Sequence, residues 1–245
     1  MATPEPMLAA RGIRAGYGPL QILRDVSLSA APGEVVGIFG RNGAGKTTLL
    51  EALSGVLPLQ GGTVSLDGED VSGKPAHVIA RMGLALVPQW RGLFPGLSTR
   101  DNLRLACRGM GRAAAKAKVD GAVERFPGLK PRLNVRAGAM SGGEQQILAI
   151  AKALIREPRV LLLDEPSIGL APIIVSQVAE VIQGLRSADR VIILAEQRLD
   201  WALGTVARGY VIEKGELARE LHPDDRSDWE ATVEEVLGTR ITETH

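Results

Sequence analysis

The chain has 245 residues, 45% of them hydrophobic, 23% charged and 3% aromatic, with a formal net charge of +1. That composition supplies a real core for one large domain or two small ones, and the near-neutral balance argues against a nucleic-acid binder working through a broad basic surface. The single cysteine, Cys107, rules out an intrachain disulfide and fits a reducing compartment. The stretch from Met1 to Pro6 lacks a basic start and an apolar leader, and no apolar run nears the ~18 residues that span a bilayer, so any service to a membrane is expected to run through partners.

From Leu8 onward short apolar segments alternate with turn residues: Leu8 to Tyr17, then Gln21 to Ser29, then Ala31-Pro-Gly-Glu. They predict an antiparallel β layer. Val35–Phe39 predicts a buried strand entering the glycine-rich segment GRNGAGKTT, Gly40 to Thr48, and Lys46 to Ser54 a helix stopped by Gly55. Gly61 to Gly68 reads as a strand, Thr63 to Leu66, and a tight turn at Asp67-Gly68; Pro75 to Met82 is a short helix, and Leu84 to Val87 a buried strand ended by Pro88 and Gln89. Between Gln89 and Pro158 strand signals give way to helices with basic faces and glycine breaks, which predicts a helical subdomain at about 90–157. In it, Ser98 to Arg108 starts like a capping box, Ser98-x-x-Asp101, and ends at Gly109 and Gly111; Gly142 to Arg156 carries Ile147, Ile150, Ala151 and Leu154 on one face. Val160–Leu163 and Val191–Leu194, separated by an amphipathic helix from Pro172 to Leu185, predict a parallel core sheet. Tyr210 to Ile212 is a last strand, and Ser227-x-x-Glu230 caps a last helix with Trp229, Val233 and Leu237 on one face.

Three segments carry chemistry. In Gly40–Thr48 the glycines at 40, 43 and 45 let backbone N–H groups curl around an anion at the start of a helix, Lys46 is placed to neutralise phosphate oxygens, and the Thr47 hydroxyl suits a Mg²⁺ that also touches the nucleotide. Asp164 and Glu165 follow a wholly apolar strand, where adjacent carboxylates are costly without a cation; Asp164 can hold the metal through a water and Glu165 can orient or deprotonate an attacking water. Met140-Ser-Gly-Gly-Glu-Gln-Gln146 opens another helix with exposed N–H groups at Gly142 and Gly143 and a hydroxyl at Ser141, a second anion site. Tyr17, between Gly16 and Gly18, is either a ring that stacks on a base or an ordinary turn tyrosine.

In this order GRNGAGKTT, VPQ with Gln89, MSGGEQQ and VLLLDEP, with the aromatic Tyr17, resemble the phosphate loop, Q-loop, signature, Walker B and A-loop of ABC-type ATPases across nearly the whole chain. The resemblance implies an α/β P-loop NTPase fold, with a RecA-like core sheet, an antiparallel β layer and an inserted helical subdomain, as a single domain over 8–238 followed by a tail at 239–245. It implies ATP and Mg²⁺ as cofactors, nucleotide contacts from Tyr17, Gly40, Arg41, Asn42, Gly43, Ala44, Gly45, Lys46, Thr47, Thr48 and Gln89, a metal held by Thr47, Gln89 and Asp164, and catalysis by Glu165 with Gln197. It also implies that a second ABC ATPase subunit closes head to tail on each nucleotide through Ser141, Gly142 and Gly143.

The segments DEPSIGLAP from Asp164, LAEQ ending at Gln197 and RGYVIEKG from Arg208 are similar to the ATP-binding subunits of branched-chain amino-acid-type importers, a group that includes transporters of urea and short amides. Ala171 departs from the D-loop aspartate and Gln197 from the switch histidine of most of the superfamily; both look like the shorter ATPase of this importer group. None of the three histidines, His77, His222 and His245, fills that place. The resemblance therefore implies an ATPase at the cytoplasmic face of the membrane, working with transmembrane permease subunits and a solute-binding protein and with no nucleic acid. Trp90, Phe94 and Leu97 either line a permease groove or belong to the subdomain core. Arg100, Arg104 and Arg108, four apart, read as a solvated face or as one that meets acidic permease loops or headgroups. A soluble non-transport ABC ATPase is the rival, and a P-loop kinase leaves Ser141-Gly-Gly143 unexplained.

Overall fold

The structure, a computed structural model, describes residues 5–222, 224 and 228–237. In chain order the first half contains β1 (Leu8–Tyr17), β2 (Leu20–Ala30), β3 (Val35–Phe39), α1 (Lys46–Leu53), β4 (Leu59–Leu66), β5 (Glu69–Asp70), α2 (Ala76–Arg81) and β6 (Leu84–Val87). Then come α3 (Thr99–Ala106), α4 (Arg112–Arg125), α5 (Gly142–Leu154), β7 (Val160–Asp164), α6 (Pro172–Gly184), β8 (Val191–Glu196), α7 (Leu199–Ala202), β9 (Arg208–Glu213), β10 (Glu216–Leu221) and α8 (Trp229–Leu237).

Two sheets form. One is antiparallel in the order β2-β1-β4-β5, and the other runs β10-β9-β3-β8-β7-β6, parallel except for the antiparallel edge strand β10. Strands β3, β7 and β8 are buried along their whole length because the second sheet is covered on both faces, which is why they read as apolar runs and not as alternations. Their alternate residues part accordingly. Val35, Phe39, Leu161, Leu163, Ile192 and Leu194 pack toward α5 and α6, while Val36, Ile38, Leu162 and Ile193 pack with α1 and the antiparallel layer.

Helix α1 ends as the sequence predicts: Gly55 is left-handed (φ 70), and the N–H groups of Gly55 and Val56 return to the carbonyls of Ala52 and Glu51, the paired bonds of a Schellman close. Asp67 and Gly68, at φ 50 and 76, make the β4–β5 turn. A similar turn, Lys214 and Gly215 at φ 50 and 83, joins β9 to β10 and is pinned from both sides, with Gly215 N–H donating to Ala44 C=O at 2.9 Å and Arg24 N–H to Gly215 C=O at 2.8 Å. A Cβ at Gly215 would lie 1.7 Å from the Ile22 carbonyl oxygen.

The segment between β6 and β7 is helical, joined by one isolated bridge from Ser98 to Arg136. Several bounds differ from expectation. Helix α3 stops at Ala106, so Arg108 lies beyond it and Arg100, Arg104 and Arg108 do not share one helical face. Ser98 accepts the Asp101 N–H and donates its hydroxyl to the Asp101 carboxylate, so the reciprocal bond of a capping box is absent there. Helix α4 has no strong sequence signal, since its apolar residues are mostly alanines and only Val119 is buried. Helix α5 ends at Leu154, and β9 is longer than Tyr210–Ile212 because Arg208 ties it to Glu34 on the approach to β3. Strand β10 carries mostly polar, exposed residues and escapes an apolar-pattern reading. In α8 Trp229 and Val233 are buried together, while the expected cap Ser227 and the tail 239–245 lie outside the described residues.

Candidate functional site

The loop from Gly40 to Gly45 leaves β3 and turns into α1. Gly43 and Gly45 hold φ 78 and 113, a region that L side chains rarely adopt, and Gly45 is itself the helix N-cap. Gly40 is needed for space: a Cβ there would come 2.7 Å from the Ile212 carbonyl oxygen. Arg41, Asn42 and Gly43 are exposed, and Ala44, Lys46 and Thr48 are buried.

Lys46 is 4% exposed. Its ammonium donates to the carbonyls of Gly40 (2.7 Å) and Arg41 (3.1 Å) and pairs with Glu165 Oε1 at 2.9 Å. Gln89, just past β6, donates its amide to Glu165 Oε2 at 3.1 Å. Register explains the convergence, because β6, β7, β8 and β3 are parallel neighbours and all end on one side of the sheet. Lys46, Thr47, Thr48, Gln89 and Glu165 line one cavity of about 310 Å³ with Asn42, Gly43, Gly45 and Ile22.

Glu165 has φ 44, an uncommon conformation for a non-glycine residue, and donates its N–H to Ala195 C=O at 2.9 Å. Its neighbour Asp164 is 3% exposed, and its Oδ1 has no hydrogen-bond partner among the described residues. Burial pushes the Asp164 carboxyl up to about 6; the Thr47 hydroxyl lowers it and the nearby Glu165 charge raises it further. A buried carboxylate oxygen without a donor, beside a hydroxyl, fits a hard divalent cation with oxygen ligands.

The remaining expected residues stand apart from that cavity. Tyr17 is 49% exposed and donates its hydroxyl to Glu51 Oε2 at 2.6 Å over α1, with the phenol pushed up by burial and then by Glu51. Gln197 is exposed just after β8. Ser141 caps α5 in a complete capping box with Glu144, whose carboxyl is held below its ordinary value by the Ser141 N–H and by Arg132. Gly143 is buried against α6, where a Cβ would come 2.3 Å from Ile174 Cγ2, so helix packing demands glycine there whatever binds at the helix start.

Two further residues join these parts. Arg91, at φ 67, bonds Gln146 and Gln145 of α5 at 3.2 and 3.1 Å and so ties the Gln89 loop to the helix that opens at Gly142. Glu196, 1% exposed, ends the apolar strand β8 and accepts the Ser167 N–H at 3.0 Å. The rule that singled out Asp164 and Glu165, a carboxylate at the end of an apolar strand, also points to Glu196. A bland surface arginine such as Arg91 gives no such signal.

The profile of the ABC transporter family matches residues 23–168. The chain is 42% identical over 211 residues, 86% of its length and 91% of the relative's, to the high-affinity branched-chain amino acid transport ATP-binding protein BraG of Pseudomonas aeruginosa. It is 34% identical over 86% of its length and 90% of the relative's to the probable branched-chain amino acid transport ATP-binding protein LivF of Archaeoglobus fulgidus. Among solved structures, the ADP conformation of MJ1267, an ATP-binding cassette of an ABC transporter, superposes with a TM-score of 0.80 at 24% identity, over 95% of this chain and 98% of that one; it shows the ABC-type P-loop fold. The chain therefore belongs to the ABC transporter family and is an ATP-hydrolysing subunit of a transporter.

Proposed function

We propose that this chain is one ABC-type ATPase domain over 8–238, its helical subdomain inserted at about 90–157, that drives import of branched-chain amino acids from the cytoplasmic face of the membrane. The observation that carries the chemistry is the convergence of Lys46 and Gln89 on Glu165 beside the unpartnered Asp164 oxygen. The phosphates of ATP lie on the N–H groups of Gly40–Thr48 at the positive end of α1, and Lys46 exchanges Glu165 for phosphate oxygens. Glu165, freed from the ammonium, and Gln89 then orient a water on the γ-phosphorus. As the water's oxygen bonds phosphorus, its proton passes to Glu165, the bond to the bridging oxygen breaks, and ADP and inorganic phosphate result. Thr47, Asp164 and Gln89 would hold Mg²⁺, which supplies charge neutralisation on the phosphate oxygens when bound.

Tyr17 faces the base side of the nucleotide and Gln197 its γ-phosphate. Ser141, Gly142 and Gly143, outside the cavity that Lys46 lines, serve the nucleotide of a second ATPase subunit, which supports a head-to-tail pair. The permease docks on the groove of about 350 Å³ between α2 and α5 beside β6, lined by Val56, Pro88, Arg91, Lys152 and Arg156. Trp90 and Phe94, 75% and 52% exposed, stand at its side, with the Lys152 ammonium 5.0 Å from the Phe94 ring centre. A solute-binding protein delivers the solute, and no nucleic acid takes part.

The similarity to BraG and LivF supports a branched-chain solute over urea or a short amide. The test is reconstitution of the chain with candidate permease and solute-binding subunits, followed by ATPase and uptake assays with leucine, isoleucine, valine, urea and acetamide. Stimulation by the branched-chain amino acids is expected; stimulation by urea or acetamide alone would reassign the solute.

A further inference from the structure

Glu196 sits where three loops of the site meet. Its main-chain carbonyl accepts the N–H of Gly40, the first residue of the phosphate loop, at 3.4 Å. Its Oε1 accepts the N–H of Ser167, two residues past Glu165, at 3.0 Å. Its Oε2 accepts the N–H groups of Gln197 and Arg198 at 3.2 and 3.4 Å. The residue before it, Ala195, accepts the N–H of Glu165 at 2.9 Å.

The Glu165 turn is thus fastened on both sides of a strained residue. With φ at 44, Glu165 keeps its conformation only where the surroundings over-determine it, and the flanking bonds from Ala195 and Glu196 do so. The chemistry also calls for a carboxylate: an ionised carboxyl accepts at both oxygens, whereas an amide turns its NH₂ toward one of these N–H groups. Retaining a carboxyl here is costly, since the side chain is buried, it accepts from the uncharged main-chain N–H groups of Ser167, Gln197 and Arg198, and burial raises its pKa above the ordinary value. Ser167, likewise buried, holds the other end of the clasp.

We propose that Glu196 is a positioning residue for ATP hydrolysis, keeping the Glu165 turn and the Gln197 turn in register with the phosphate loop. It touches neither nucleotide nor water and acts through where it holds Glu165. This rests on the reading of Glu165 as the base, and the test separates the two.

The 245-residue chain is compared with its Glu196→Gln, Glu196→Asp, Glu165→Gln and Glu165→Gln/Glu196→Gln variants for kcat, KM, equilibrium ATP binding and thermal midpoint. Glu196→Gln is expected to lower kcat about tenfold or more, with KM and ATP affinity within about twofold of the parent. The double variant is expected to be no slower than Glu165→Gln alone, because the group that Glu196 positions is already gone. An unchanged kcat in folded Glu196→Gln would overturn the proposal, as would a parallel loss of ATP affinity or a full multiplicative loss in the double variant. If Glu196→Gln does not fold, Glu196→Asp, which draws the carboxylate back from Ser167, is read by the same criteria; failure of both to fold makes Glu196 a folding residue and also overturns it. Normal turnover of Glu165→Gln would remove the base reading and with it a role exercised through Glu165, whereas normal turnover of Glu196→Gln beside a slow Glu165→Gln would overturn the positioning role alone.

Discussion

The ammonium of Lys46 stands 2.9 Å from Oε1 of Glu165 with both side chains nearly buried, so the cation assigned to phosphate and the carboxylate assigned to water neutralise each other. In the proposed function ATP divides this pair, which would link arrival of the phosphates to release of the base. Glu165→Gln removes the competitor for Lys46 while leaving its bonds to the Gly40 and Arg41 carbonyls. We expect ATP to bind at least as tightly as in the parent and kcat to fall by about a hundredfold to ten-thousandfold, the range for losing a general base. Equilibrium binding and steady-state hydrolysis measure both, and weakened binding with normal turnover would refute the exchange.

Asp164 bears a cost that a cation would offset. Its carboxyl ionises at about 6 in the folded chain against an ordinary value of 3.8. A raised acid gives its full stability below the unfolded value and loses it as pH rises through the folded one. At pH 8 the penalty is therefore complete, about 3 kcal/mol by the size of the shift. Asp164→Asn should raise the thermal midpoint at pH 8 in EDTA, with little effect at pH 4, and should abolish any rise caused by Mg²⁺ with ATP. A lower midpoint in EDTA would show that the carboxylate is stabilised by something other than the metal.

Gly143 separates packing from binding. Gly143→Ala drives a Cβ into Ile174 and should cost about 1–3 kcal/mol, the usual range for overpacking. Adding Ile174→Ala should restore part of that stability. Chemical denaturation of the single and double variants gives the comparison; a single variant as stable as the parent would mean that α5 and α6 shift apart at no cost.

Gln197, exposed after β8, is a neutral donor and a weaker contact than a charged one. Gln197→Ala should slow single-turnover hydrolysis by roughly tenfold to a hundredfold at most, from a contact of ~1.5–3 kcal/mol. A loss as deep as that of Glu165→Gln would rank Gln197 with the base.

What the sequence disclosed follows from what short motifs encode. Gly40–Thr48 is legible because positive φ at Gly43 and Gly45 and the crowding at Gly40 admit few other residues, and the buried strands are legible because both faces of their sheet are covered. Convergence was less legible. No spacing says that Gln89 and Lys46 reach opposite oxygens of Glu165, since that depends on neighbouring parallel strands ending together. Strand β10 and helix α4 went unread for a different reason: the first is largely exposed and the second is alanine-rich, so neither leaves an apolar period. The local motif at Gly143 signals an N–H group, while its second duty, admitting Ile174, depends on a distant partner helix, α6.

The Lys214–Gly215 turn bears on how the molecule can be engineered. Hairpin tips are ordinarily the places where a reporter or affinity tag can be spliced into a chain. Here the tip is a rivet: one bond reaches the phosphate loop through Ala44 and another reaches β2 through Arg24, and nothing larger than hydrogen fits at Gly215. A graft at that point would pull on the phosphate loop directly. The glycine-bounded link between α3 and α4, where Gly109 and Gly111 have open space around them, is the better port for a fluorophore that must leave hydrolysis untouched.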